Sequence, residues 1–93
     1  MKKVAILGST GSIGTSTLSV IENNPEVFSI TLLAADSNVD SIFEQSKKFS
    51  PNYLYLNDNA SSSQLRSKIN SINLKSTLVD EKDYMKILAS DEV

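Results

Sequence analysis

The sequence contains no cysteine, no histidine and no tryptophan. Without cysteine it has no disulfide framework and no thiolate metal site. Without histidine it lacks the commonest catalytic base and the commonest metal ligand. A reaction carried by this chain would therefore depend on carboxylates or on a bound cofactor.

Strong charge and long hydrophobic runs are also missing. The net charge is -2 and no basic cluster occurs, so nothing in the charge pattern indicates nucleic-acid binding. The apolar run Val4–Leu7 follows Met1-Lys2-Lys3 but is too short for a signal peptide or a membrane span. A length of 93 residues with 40% hydrophobic residues is typical of one small soluble domain, for which the cytosol is the default location.

What the sequence does contain is a regular alternation of strand-like and helix-like segments. Apolar and β-branched runs predict strands at Val4–Leu7, Phe28–Ala35, Tyr53–Leu56 and Ser76–Val79. Helical spacing of apolar residues predicts helices from residue 12 to the stop at 23–25, then over 39–49, 61–70 and 83–89. Alternation of this kind predicts an α/β fold, a Rossmann-like doubly wound parallel sheet.

All three glycines fall in one turn between the first strand and the first helix, Gly8-x-x-Gly11-x-x-Gly14. In the dinucleotide-binding fingerprint the first glycine makes the turn, the second lets the backbone approach the pyrophosphate, and the third lets the helix pack on the strand. Unpaired N–H groups and the helix dipole favour a phosphate there. Hydroxyl groups of the same turn are expected to bind phosphate oxygens: Ser9, Thr10 and Ser12.

Two other interpretations of this turn are possible. A mononucleotide P-loop needs four residues between its glycines and then a lysine. Here Thr15 follows Gly14 and the next lysine is Lys47, so the P-loop is excluded. A glycine-rich turn capped by serines, without a ligand, stays open.

An acidic residue stands at the end of the predicted second strand. In dinucleotide-binding folds such a residue, about 20 positions after the glycines, binds the ribose 2′-hydroxyl. Asp36 occupies that place and by this argument alone favours NAD, because a carboxylate repels a 2′-phosphate. Alternatively, Ser37-Asn38-Val39-Asp40 is a helix cap with a capping-box partner and Asp36 only flanks it. Both interpretations stay open.

The remaining polar and aromatic candidates have structural interpretations. Tyr53 and Tyr55 alternate along a strand and are expected to pack in the core. Asp58 and Asn59 are expected to cap the third helix. The segment 80–83 is expected to be a solvated turn with favourable charge at a helix start. No catalytic residue and no metal site is predicted, since Asp91 and Glu92 form no metal-binding group alone.

The chain stops directly after a predicted helix, where the next strand of a doubly wound sheet is expected. Dinucleotide folds commonly have about six strands. We therefore expect residues 1–93 to be part of an N-terminal NAD(P)-binding domain, without the catalytic and C-terminal domains.

Several motifs beyond the glycines resemble one family, 1-deoxy-D-xylulose 5-phosphate reductoisomerase. Spaced matches in one order are more specific than a glycine turn alone. The matching segments are Ile6-Leu7-Gly8-Ser9-Thr10-Gly11-Ser12-Ile13-Gly14-Thr15-Ser16-Thr17-Leu18, Asn24-Pro25-Glu26-x-Phe28, Leu33-Ala34-Ala35-x-Ser37-Asn38-Val39, Glu44-Gln45, Phe49-Ser50-Pro51 and Leu56-x-Asp58.

The resemblance implies an NADPH-dependent reductoisomerase of non-mevalonate isoprenoid biosynthesis, which forms 2-C-methyl-D-erythritol 4-phosphate. It also implies Mg²⁺ or Mn²⁺, a sugar-phosphate substrate, a possible homodimer and a cytoplasmic or plastid location, with the metal and catalytic residues outside this chain. No nucleic-acid or membrane partner is implied. The implied NADPH contacts, with position 36 between them, are Thr10, Gly11, Ser12, Ile13, Ser37 and Asn38.

Asp36 departs from the family, which usually has glycine at this position. Our hypothesis is that the Asp36 carboxylate turns outward while Ser37 and Asn38 still reach the 2′-phosphate. Two alternatives to the family stay open. One is a stand-alone nucleotide-binding or interaction module without catalysis, and the other is a different NAD(P)-dependent enzyme such as an aspartate-semialdehyde dehydrogenase.

Overall fold

The computed structural model describes residues 1–90 as four strands alternating with four helices. Asp91 and Glu92, and the place where a further strand was expected, lie outside the described residues. In chain order the elements are β1 (Lys2–Leu7), α1 (Ser12–Glu22), β2 (Phe28–Ala35), α2 (Val39–Phe49), β3 (Tyr53–Leu56), α3 (Asn59–Ile72), β4 (Thr77–Leu78) and α4 (Glu81–Leu88).

The strands form one parallel sheet in the order β1-β2-β3-β4. Each crossover steps to the next strand in the same direction, so right-handed connections place α1, α2 and α3 on one face. Side chains of all three helices accordingly share one core with Leu33 of β2: Leu18, Ile42 and Leu65.

The opposite face of the sheet is covered by α4. Tyr84 and Ile87 of this helix pack on a second cluster that contains Leu32 and Ala34 of β2. Helices on both faces of a parallel sheet confirm the predicted Rossmann-like α/β fold. Leu32 and Leu33 are both fully buried, as expected for a strand covered on both sides.

The strand order differs from the usual arrangement of dinucleotide-binding domains. There the fourth strand lies beside the first, whereas here β4 pairs with β3. Because helical and strand periodicity carry no information on which strands pair, this order was not available from the sequence pattern.

Two helices begin two residues earlier than predicted, in each case directly after a residue whose side chain caps the helix. The third helix was expected to begin at Ser61, but Asp58 accepts a hydrogen bond from the Ser61 N–H, and α3 starts at Asn59. Likewise Asp80 accepts from the Asp83 N–H and α4 starts at Glu81. The cap predicted for Asp58 is thus confirmed. No helix within residues 1–90 is long and apolar enough to span a membrane.

Candidate nucleotide-binding site

The loops after β1, β2 and β3 are joined at the carboxyl edge of the sheet. The N–H groups of Gly8 and Ser9 both donate to the Ala34 carbonyl, at 2.8 and 3.0 Å. The Asp58 N–H donates to the Asp36 carbonyl at 2.9 Å. In open α/β sheets ligands bind outside this edge, so the predicted site residues meet where a ligand is expected.

The glycine turn is built by close backbone contacts. Gly8 has φ +71, a conformation that glycine adopts without strain, and its carbonyl accepts from the Gly11 N–H at 3.0 Å. A Cβ on Gly14 would lie 2.2 Å from the Gly8 carbonyl oxygen. Since no side chain fits there, the predicted packing role of Gly14 is confirmed. A Cβ on Gly11 would lie 3.4 Å from the same oxygen, so Gly11 is under less steric constraint.

No side chain among residues 1–90 caps the N-terminus of α1. Its N-cap is Gly11, and the first intrahelical bond runs from the Thr15 N–H to the Gly11 carbonyl at 2.9 Å. The N–H groups of Ser12, Ile13 and Gly14 come before that bond in the chain and have no acceptor within the helix.

The other helices differ in this respect. Side chains of Asn38, Asp58 and Asp80 cap α2, α3 and α4. The alternative of a turn closed by serine caps is therefore wrong, because no serine caps α1. The free donors of the first turn are those that an anion requires.

The hydroxyl-bearing residues of the turn are not equivalent. Ser9 is fully buried and its Oγ has no hydrogen-bond partner among the described residues. Thr10 is half-buried and Ser12 is exposed. Ile13, in the first turn of α1, is 85% exposed.

Gln45 of α2 also contacts the turn, a contact that sequence reasoning missed. Its Nε2 donates to the Ser9 carbonyl at 2.8 Å, and its Oε1 is buried. The two residues are 36 positions apart in the chain, beyond the reach of any local pattern. The only available signal was the Glu44-Gln45 pair in the family resemblance.

Asp36, Ser37 and Asn38 are all exposed at the end of β2. Asn38 caps α2 by accepting from the Ser41 N–H at 3.2 Å, so the helix-cap interpretation is confirmed for this residue. Asp40 takes no part in that cap and instead lies 3.6 Å from the Lys68 ammonium.

The Asp36 carboxylate is turned towards the loop after β3. Its Oδ1 accepts from Asn57 Nδ2 at 3.2 Å, and Asn57 Oδ1 lies 3.4 Å from the Tyr55 hydroxyl, which donates to it. Tyr55 stacks on Tyr84 with ring centroids 4.0 Å apart. Burial, helped by the nearby Glu81 carboxylate and by Tyr84, raises the pKa of Tyr55.

A cavity of about 280 Å³ lies beside this chain of hydrogen bonds. Gly8 forms one side of it, and two carboxylates, Asp36 and Glu81, line it. The packing role predicted for Tyr55 is confirmed, since its ring is buried in the second core cluster and forms another wall. A larger cavity of about 550 Å³ lies at the opposite edge of the sheet, between the loops that precede β3 and β4.

No group of three or more possible metal-ligating side chains comes together within the described residues 1–90. The chemistry that the site offers is therefore that of backbone donors, hydroxyls, amides and single carboxylates. These groups suit a nucleotide with a pyrophosphate at the turn and a ribose at the loop after β2.

Comparison with known proteins agrees with this geometry. The family model for 1-deoxy-D-xylulose 5-phosphate reductoisomerase matches residues 4–93. The reductoisomerase of Psychromonas ingrahamii is 48% identical over 94 residues, which covers 100% of this chain and 24% of that protein. The Proteus mirabilis enzyme is 42% identical, covering 99% of this chain and 23% of that protein.

Solved structures show the same fold. A crystal structure of DOX-P reductoisomerase in complex with NADPH, fosmidomycin and magnesium matches with TM-score 0.90 and 29% identity, covering 100% of this chain and 23% of that chain. The enzyme from Zymomonas mobilis in complex with NADPH matches with TM-score 0.73 and 27% identity, covering 83% of this chain and 20% of that chain.

These matches support the reductoisomerase resemblance and not the alternatives of a stand-alone module or an aspartate-semialdehyde dehydrogenase. The chain spans about a quarter of the length of the curated relatives it matches. It belongs to the 1-deoxy-D-xylulose 5-phosphate reductoisomerase family and corresponds to the N-terminal region of these enzymes.

Proposed function

We propose that this chain is the NADPH-binding part of an enzyme that converts 1-deoxy-D-xylulose 5-phosphate to 2-C-methyl-D-erythritol 4-phosphate. The proposal is based on the N-terminus of α1, which no side chain among residues 1–90 caps. This end of the helix packs against the Gly8 backbone, and a Cβ on Gly14 would clash there. A related enzyme of the same fold was solved with NADPH bound.

The pyrophosphate of NADPH lies at the turn after β1. The N–H groups of Ser12 and Ile13 face it, since they precede the first intrahelical bond of α1. Gly11 and Thr10 lie beside it, and the exposed Ile13 side chain covers part of the bound cofactor. Ser9 lies behind the turn and takes no direct part.

The ribose 2′-phosphate lies at the loop after β2. Residues 36–46 contain no lysine or arginine, so the phosphate is bound by the Ser37 hydroxyl, the Asn38 amide and the positive end of the α2 dipole. Asp36 flanks these groups, and its bond from Asn57 turns the carboxylate towards β3 and away from the 2′-phosphate.

The rest of the reaction belongs to residues outside this chain. The nicotinamide supplies hydride, and this chain positions the cofactor that carries it. Residues 1–93 form part of the N-terminal domain. The sugar phosphate and a Mg²⁺ or Mn²⁺ ion are bound by further domains of a homodimeric enzyme of the bacterial cytoplasm or the plastid stroma.

Thermal-shift titration of the complete natural protein with NADPH and with NADH tests the proposal. NADPH at one hundred times its dissociation constant is expected to stabilise the protein by about 2.7 kcal/mol. NADH at the same concentration is expected to raise the Tm less. If neither nucleotide stabilises a folded sample, the glycine turn is not a cofactor site.

A further inference from the structure

We infer that Gln45 is a positioning residue for the pyrophosphate: through the Ser9 carbonyl it turns the Thr10 N–H outward as a phosphate donor. This inference rests on the proposed function, because it concerns the same turn. It assigns a role in cofactor binding to a side chain of α2 that lies behind the turn.

Only one orientation of the Gln45 amide allows a hydrogen bond to the Ser9 carbonyl, although it leaves the buried Oε1 without a partner among the described residues. Nε2 donates to the Ser9 carbonyl at 2.8 Å in a partly buried position. Rotating the amide by half a turn would place Oε1 against the same carbonyl, two acceptors facing each other. The hydrogen bond is therefore directional, and it fixes the direction of the Ser9 carbonyl.

The direction of that carbonyl sets the direction of the next N–H group. The peptide bond between Ser9 and Thr10 is trans and planar, so its C=O and its N–H point in opposite directions. With the carbonyl held towards α2, the Thr10 N–H points away from α2. It donates to no backbone carbonyl in the turn.

Among residues 1–90, no other hydrogen bond involves the Ser9 carbonyl or the Thr10 N–H. Gly8 N–H and Ser9 N–H are held by the Ala34 carbonyl, and Gly11 N–H is held by the Gly8 carbonyl. The Ser9 carbonyl between these anchors has Gln45 as its hydrogen-bond partner. Without Gln45 the Ser9–Thr10 peptide is free to rotate, and a donor aimed at the phosphate loses its fixed direction.

The same helix reaches both ends of the cofactor site. Asn38 caps α2 at the ribose loop, and Gln45 lies two turns further along the helix, against the pyrophosphate turn. A single rigid helix therefore sets the spacing between the two loops that hold the adenosine half of the cofactor.

The test uses Gln45→Leu and Gln45→Glu in the complete natural protein, with Glu44→Gln as matched control. Leucine removes the donor, and glutamate keeps the shape but presents an oxygen to the Ser9 carbonyl. Glu44 is exposed and pairs with Lys47 at 2.9 Å, away from the turn. NADP⁺ dissociation constants, unliganded Tm values and the Thr10 amide proton shift on NADP⁺ addition are measured for each protein.

Both Gln45 variants are expected to bind NADP⁺ about tenfold more weakly, the effect of one hydrogen bond. Glu44→Gln is expected to bind like the wild type. The Thr10 amide proton is expected to shift on binding in the wild type and not in the Gln45 variants. If one of the two Gln45 variants fails to fold, the NADP⁺ dissociation constant of the other tests the inference.

An unchanged dissociation constant in a folded Gln45 variant would overturn the inference, even with a lowered Tm, because the bond would then serve only the packing of α2. Failure of the wild type to bind NADP⁺ or NADPH would instead contradict the proposed function. The two failures are thus distinguishable.

Discussion

The turn after β1 and the loop after β2 form the two sides of the site in different ways. In the turn, backbone packs on backbone, with Gly8 at φ +71 and a Gly14 position that no Cβ can occupy. In the loop, Asp36 and Asn38 are exposed. The Asp36 side chain accepts a hydrogen bond from the Asn57 amide, and the Asn38 side chain accepts one from the Ser41 N–H. Steric contacts therefore restrict which residues the turn can contain, whereas the exposed side chains of the loop can be exchanged without a clash.

This difference predicts that substitutions on the two sides of the site have different effects. A substitution at Gly14 disrupts the contact between α1 and β1 whichever nucleotide is bound. A substitution at position 36 leaves the backbone in place, because the Asp36 carbonyl and the Ala35 carbonyl still accept from the loop after β3. The fold therefore does not depend on which side chain stands at position 36.

Gly14→Ala is expected to have the largest effect. The added Cβ meets the Gly8 carbonyl oxygen at 2.2 Å, and backbone cannot move aside as a side chain can. We expect a loss of stability of about 1–3 kcal/mol or more and no measurable NADPH binding. Denaturant unfolding and fluorescence titration with NADPH measure the two effects.

Gly11→Ala is the matched control, since its Cβ would lie 3.4 Å from the same oxygen. This variant is expected to keep its stability and to lose about tenfold in NADPH affinity, because the methyl group occupies the approach of the pyrophosphate. Equal stability of the Gly14→Ala protein and the wild type would contradict the steric account of the turn.

Asn57→Ala is expected to have a smaller effect, confined to the ribose side. It removes the donor that holds the Asp36 carboxylate at 3.2 Å, so the carboxylate becomes free to approach the 2′-phosphate. An exposed charge pair is worth under about 1 kcal/mol. We therefore expect NADPH to bind about threefold more weakly and NADH to bind as before.

The double variant Asn57→Ala/Asp36→Gly completes this experiment. Removing the carboxylate is expected to restore NADPH affinity, whereas Asp36→Gly alone changes it little. A wild-type protein that prefers NADH strongly would contradict the outward orientation of Asp36, and the carboxylate would then bind the ribose 2′-hydroxyl.

The same contrast explains how much could be predicted from the sequence. The glycine turn was recognisable because its constraint is local: three glycines within seven residues, between a strand and a helix. The contacts Gln45 to Ser9 and Asn57 to Asp36 join residues 36 and 21 positions apart, so no periodic pattern could reveal them. The burial of Ser9 was missed for the same reason.

Strand pairing was the other feature that patterns could not supply. Four strand–helix units were predicted with nearly correct limits. The same alternation of apolar residues, however, fits a sheet with β4 beside β1 and a sheet with β4 beside β3. The position of β4 beside β3 depends on the sum of core contacts across the sheet. Side-chain caps such as Asp58 moved helix starts by two residues, a local effect that hydrophobic periodicity does not register.

The smallest expected effect concerns pH and again falls on the ribose side. Hydrogen bonds from the Ser61 hydroxyl and then from its N–H lower the pKa of Asp58, whose own N–H supports the Asp36 carbonyl. Because the folded pKa lies below the unfolded one, the stabilisation is present above the unfolded pKa of about 3.9 and is lost as the pH falls through the folded value.

Asp58→Asn is expected to keep a cap, since asparagine is a good N-cap residue, but to lose this pH-dependent part. The Tm difference between wild type and Asp58→Asn should therefore be small and positive at pH 7 and should shrink below about pH 4. Residues 8–14 contain no titratable side chain, so acid is expected to leave the bonds of the turn intact while it weakens the α3 cap. A difference in Tm that stays constant from pH 7 to pH 3 would show that the Asp58 charge plays no part in supporting the ribose loop.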